Sequence, residues 1–203
     1  MKIALMIILA LLVTGCSLQT KVASSTQYRL DITPNDRNFT SLTCKDDILQ
    51  LKNISNYDVI QSRSIYYKVG DYKLFAYTQS NWEEAPSKTI QNELISALRD
   101  TAIFKDVITN RSVAKSNYIL EYDVEDFVQH YKEDLNSSYV SAKVHFSIIE
   151  NNSSKLLYST TIQKELPTDS NDAFGGVKAL RAVLKDLLGQ TSLWLDERCQ
   201  KGI

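Results

Sequence analysis

The sequence predicts one α+β domain, a mostly antiparallel sheet with two helices packed on it, in the order β-β-β-α-β-β-β-α. Three observations carry that expectation. Between residues 118 and 149, two successive runs alternate apolar and polar residues, as strands with one covered face do, and a third strand-like run follows at 156–164. Near 86–100 and 172–195, apolar residues recur at helical spacing. Gly70-Asp71 separates two runs rich in aromatic residues, a strong hairpin signal.

Taken in order, the first strand is expected at 48–52 (ILQLK). The next two, 64–69 and 72–77, form the hairpin around Gly70-Asp71. A helix should open near Pro86, because proline lacks only an N–H that the first helical turn leaves unpaired. Ile90, Leu94, Ala97 and Leu98 then line one face to about Asp100, and Phe104 and Val107 continue as a short connector. The strand over 118–128 should turn Tyr118, Leu120, Tyr122, Val124 and Val128 one way and Glu121, Asp123 and Glu125 the other. A second strand, about 138–149, puts Val140, Ala142, Val144, Phe146 and Ile148 on one face, and a third covers 156–164. The closing helix, 172–195, carries a stripe of Val177, Leu180, Leu184, Leu187, Leu188 and Leu195. Gly175-Gly176 near its beginning is expected to delay the true start by a few residues. With no internal repeat, the folded domain is placed at 46–203, and the polar stretch 16–45 reads as a tether with room for a short strand at 28–32.

Residues 1–15 read as a removable signal peptide. Lys2 is the only charge before Cys16, the run 3–13 is wholly apolar, and Thr14-Gly15 supplies small residues ahead of the cysteine. Eleven apolar residues fall short of the roughly 20 needed to span a bilayer as a helix. Val13-Thr14-Gly15-Cys16 resembles the bacterial lipobox, in which the cysteine thiol takes a diacylglycerol and becomes the first residue of an exported protein. The alternative is an ordinary signal with an incidental cysteine. Each buried methylene contributes about 0.8 kcal/mol, so two or three acyl chains on Cys16 would hold the protein to a membrane through its lipid alone. Ser17, where inner-membrane lipoproteins typically carry Asp, favours the periplasmic face of the outer membrane over the inner membrane.

Loss of 15 of 203 residues leaves 188, enough for one domain with a real core. Lysine and arginine fall from 23 to 22 against 24 acidic residues, so nothing points to nucleic acid or to a polybasic membrane patch. With Cys16 acylated, Cys44 and Cys199 remain; in an oxidising compartment they pair most simply as one disulfide, the alternative being two buried thiols.

Few residues carry a chemical signature. His130 and His145 belong to no metal-ligand spacing, there is no phosphate-cradling glycine loop, and no Gly-x-Ser-x-Gly elbow occurs. No catalytic residue, metal or cofactor is expected, and the chain is not read as an enzyme. Glu121, Asp123 and Glu125, with Asp126 beside them, could gather a cation, or form a solvated face whose charges meet Lys143 and His145. Tyr66, Tyr67, Tyr72, Phe75, Tyr77 and Trp82 crowd one span of a chain with 11 tyrosines, either as a recognition surface or as ordinary packing. Asp134-x-Asn136-x-Ser138 and Glu150-x-Asn152-x-Ser154 fit the acidic sequon of bacterial N-glycosylation, or simply polar turns.

The hairpin, the Trp82-x-x-x-Pro86 helix entry, Phe104-x-x-Val107 and the run Tyr118-x-Leu120-x-x-x-Val124-x-x-Phe127 resemble, in that order, the ABC-type transport auxiliary lipoprotein family. That family includes the lipoprotein partner of paraquat-inducible operons, and the likeness covers about residues 48–195. It implies a non-catalytic accessory of an MCE-type ABC system that moves phospholipid between inner and outer membranes, docking to the MCE substrate-binding subunit. Tyr67, Tyr77 and Trp82 are then the expected contact, and self-association stays open. A second reading is a structural or regulatory envelope lipoprotein that activates a cell-wall synthase. A third, an envelope hydrolase, lacks its nucleophile and metal spacings.

Overall fold

A computed structural model describes residues 24–32 and 43–203; the signal segment and Cys16 lie outside the described residues. Its spine is the pair of long alternating runs. They form β6 (Tyr118–Tyr131) and β7 (Ser138–Glu150), which pair antiparallel along their whole length, and β8 (Lys155–Pro167) pairs antiparallel with β7. The other edge of β6 is shared. Its first half pairs parallel with β2 (Ile48–Asn53), and its last residues pair parallel with β3 (Ser64–Val69). Between those partners the chain leaves the sheet as a short helix, α1 (Asp58–Gln61), while Ile54 N–H still donates to Tyr122 O at 3.0 Å and Val124 N–H to Ser55 Oγ at 2.8 Å.

Beyond β3 the sheet continues through β4 (Lys73–Trp82) to β1 (Thr26–Tyr28), and beyond β2 to β5 (Asp106–Thr109). Four of the seven pairings are parallel, although the antiparallel ones carry most of the ladder. The fold is thus α+β with a mixed sheet. β5 replaces the expected connector: four residues are too few to show a period, and its strand state comes from parallel pairing with β2, which no local pattern displays.

The expected tether is also shorter. β1 pairs with Ser80–Trp82 of β4, Leu30 is buried in the core, and Arg181 donates to Asp31 O at 2.7 Å, so ordered packing begins about twenty residues before 46. Residues 33–42 lie outside the described residues.

A bulge changes which side chains of β6 face inward. Register runs from Val124↔Val144 to Asp126↔Lys143, leaving Glu125 as the extra residue. Alternation restarts one residue later, so Phe127, and not Val128, continues the core face of Leu120, Tyr122 and Val124.

That face is covered by α2 (Pro86–Asp100) and α3 (Ala173–Gln200). Ile90, Leu94 and Leu98 are buried on α2, which starts and stops where the proline and the apolar spacing place it. On α3 the whole expected stripe is buried, and the helix runs on past Leu195 so that Cys199 also faces inward. Gly175 and Gly176 do not delay it. Asp172 caps the helix by accepting from Gly175 N–H at 2.8 Å. A Cβ on Gly175 would lie 2.2 Å from Ser170 O, and one on Gly176 would lie 2.1 Å from Gln129 Oε1. Both positions need glycine for close approach to neighbouring backbone and to β6.

Candidate functional site

The β3–β4 hairpin turns at Gly70, whose φ of 57° suits glycine, and its N–H donates to Tyr131 O at 3.2 Å, tying the tip to the end of β6. Tyr67 stands at the centre of an aromatic group. Its ring centroid lies 4.6 Å from Tyr77, 5.3 Å from Tyr131 and 5.5 Å from Phe75. The Tyr77 hydroxyl donates to Gln129 Oε1 at 3.0 Å and meets the Tyr131 hydroxyl at 2.7 Å. Burial, then the Tyr131 hydroxyl, push the Tyr77 phenol far above its ordinary value, so it stays a neutral donor.

The structure brings Tyr67 and Tyr77 together and separates Trp82 from them. Trp82 is 3 % exposed and belongs to the core, with its backbone N–H donating to Arg63 O at 2.7 Å. A docking contact through Trp82 is therefore corrected: a side chain already packed on all sides has no face to offer. The hairpin's outward apolar surface is instead Tyr72, 96 % exposed, with Leu74 and Phe75 at 48 % and 45 %. Tyr72 carried a usable signal in the sequence, since an aromatic residue in a tight turn has nothing to bury against.

The acidic row divides among neighbouring cations. Glu121 meets Lys52 Nζ at 2.8 Å, Glu125 meets Lys143 Nζ at 2.5 Å, and Asp126 meets Lys68 Nζ at 3.1 Å and His130 Nε2 at 2.8 Å. Asp123 stands opposite His145 in register. Burial opposes the charge on Asp126, yet hydrogen bonding and attraction from His130 and Lys68 hold its carboxyl below the ordinary value. These are ion pairs on one sheet face. Among the described residues no three His, Cys, Asp or Glu side chains gather as a metal site.

Cys44 and Cys199 form a disulfide with Cα atoms 5.7 Å apart, joining the turn before β2 to the last turn of α3. Asn136 and Asn152 are both exposed in turns, at the β6–β7 and β7–β8 connections. Among the described residues no helix is long and apolar enough to cross a membrane.

A family model for the ABC-type transport auxiliary lipoprotein component matches residues 28–191. The chain belongs to this family. Membership makes it a transport auxiliary lipoprotein, a component described by its assistance to transport rather than by catalysis, and a lipoprotein family implies a place in the cell envelope. No curated protein matches the sequence. Among solved structures the fold is similar to protein XCC0632 from Xanthomonas campestris, at TM-score 0.74 and 18 % identity over 87 % of this chain and 98 % of that one. An uncharacterised protein is similar at TM-score 0.62 and 13 % identity, over 85 % of this chain and 99 % of that one. The PelC dodecamer from Paraburkholderia phytofirmans matches at TM-score 0.41 and 15 % identity over 75 % of this chain and 92 % of that one, too distant to bear on assembly here.

Proposed function

We propose that this family member is a periplasm-facing, lipid-anchored accessory of an MCE-type ABC transporter that moves phospholipid between the inner and outer membranes. The observation that supports the reading is the family match over residues 28–191, which begins 12 residues after Cys16 of the lipobox-like Val13-Thr14-Gly15-Cys16. Cys16 bears the diacylglycerol, and Ser17 favours the outer membrane's periplasmic leaflet. The chain contributes attachment and docking, while the ATPase, permease and MCE subunits are other chains. Tyr67 and Tyr77, on the hairpin flank, are the assigned contact with the MCE subunit; Trp82 acts only by supporting the sheet beneath them. Affinity isolation of the lipidated chain from native membranes should bring down an MCE subunit, and its elution volume reads the copy number. A Tyr67→Ala variant with unchanged far-UV circular dichroism should lose that subunit. Recovery of a cell-wall synthase in place of transporter subunits would overturn the reading.

A further inference from the structure

The geometry points to a second membrane contact: the end of the domain bearing the β3–β4 tip sits in the headgroup layer of the membrane that holds the lipid on Cys16, with Tyr72, Leu74 and Phe75 entering it. This rests on the reading of Cys16 as lipid-bearing. It needs no transporter subunit.

Three observations converge. The first is the placement of exposed apolar side chains. Among the described residues ten large hydrophobic side chains are exposed, and six of them, Tyr72, Leu74, Phe75, Leu135, Leu166 and Phe174, lie at one end of the molecule. Hydrogen bonds and strand pairing define that end. Gly70 N–H meets Tyr131 O at the tip, Asn171 Nδ2 donates to Leu135 O, and Leu166 pairs with Val140 beside the start of β7. α3 also begins there, one residue before Phe174. Such clustering marks a contact surface.

The second is direction. β1 runs parallel to β4, with Thr26 opposite Ser80, and β4 runs away from the tip. The chain entering β1 therefore arrives from the tip side. The third is length. Thr26 lies ten residues along the chain from Cys16, a reach of at most about 35 Å. Ser80 and Tyr72 are eight residues apart, about 26 Å along an extended strand. With β4 upright, even a fully stretched leader leaves the tip within about 10 Å of the lipid attachment. A leader spanning about 26 Å or less brings it into the headgroups.

Lipid suits this tip better than a protein partner does. Leu74 and Phe75 are consecutive in a strand and so point to opposite faces of the ribbon, and both are exposed. A docked protein covers one face, whereas a lipid layer surrounds both. Tyrosine is favoured at the membrane–water interface, where its ring is buried and its hydroxyl stays wet. Nearby charges, Lys73 and Lys132 against Asp71, Glu133 and Asp134, give no basic excess. The contact should therefore be apolar and insensitive to salt.

The test uses the full lipidated chain in phosphatidylethanolamine–phosphatidylglycerol vesicles free of other proteins. Tyr72→Trp places a reporter at the tip, and Leu156→Trp places one at the exposed start of β8, at the far end of the β7–β8 pair; Trp82 and Trp194 supply the common background. Lipids brominated on their acyl chains should quench the Tyr72→Trp signal several-fold more than the Leu156→Trp signal, with aqueous iodide showing the reverse order and neither changing with salt. Equal quenching of the two reporters overturns the tip contact. The mass of the N-terminal peptide separates the causes of failure. A lipidated Cys16 with equal quenching overturns this inference alone, and an unmodified Cys16 overturns the anchor reading and this one together.

Discussion

The disulfide offers the most quantitative prediction. Cys44 and Cys199 are 155 residues apart, and among the described residues every element except β1 and the last residue of α3 falls within the loop they close. Closing a loop of that length in the unfolded chain removes entropy of about 17 cal/mol/K on the chain-entropy relation, or about 5 kcal/mol at 25 °C. Residual compactness of the unfolded chain lowers this, so a loss of about 2–5 kcal/mol is expected on reduction. For a chain of this size each kcal/mol moves the midpoint by about 2–4 °C, so Tm should fall by on the order of 10 °C. Thermal unfolding followed by the fluorescence of Trp82 and Trp194, both packed in or against the core, reads this directly, comparing oxidised protein, the same protein under reductant and the Cys44→Ala/Cys199→Ala double variant. Using the wild-type sequence in both redox states separates the cross-link from the substitutions. Oxidised and reduced midpoints agreeing to within about 2 °C would refute the argument that this bridge stabilises the fold through loop closure.

Three further outcomes follow from packing and charge. Gly176→Ala drives a Cβ onto Gln129, which also holds Tyr77 and Ser138, and should cost about 1–3 kcal/mol in urea unfolding; a neutral result contradicts the close approach. The Asp126 carboxyl titrates lower in the folded protein than in the unfolded chain, so its stabilisation is complete above the unfolded value and is lost as pH falls through the folded one. Acidification below about pH 4 should therefore cost wild type more stability than Asp126→Asn, and parallel pH–stability curves would contradict the assignment. The Tyr122 hydroxyl is buried without a hydrogen-bond partner among the described residues, so Tyr122→Phe should raise stability by up to about 1 kcal/mol, and a comparable loss would reveal an unseen partner.

What the sequence made legible follows the range of each signal. α2 was readable at both ends because a proline start and a four-residue apolar spacing are local. The β6, β7 and α3 core stripes were readable because each is long enough to show its period. β5 was hidden, and the short strand expected at 28–32 lies instead at Thr26–Tyr28, because three or four residues are held only by pairing with distant strands. The bulge at Glu125 was hidden too, because an extra residue in a strand appears only against its partner's register, and it moved Phe127 into the place expected for Val128. The helical glycines were misread for the same reason: their cost to the helix is local, while the close approach they allow to Ser170 and Gln129 is tertiary. Within the aromatic span, composition could mark a surface but could not separate buried Trp82 from exposed Tyr72.

Docking of the membrane-anchored domain to an MCE subunit is read by a binding titration. Vesicles carrying the lipidated chain are titrated with the purified periplasmic part of the MCE subunit, with protein-free vesicles as the blank. Saturable binding that weakens with Tyr67→Ala is expected. Binding no greater than to protein-free vesicles, with the chain lipidated and folded, would contradict it.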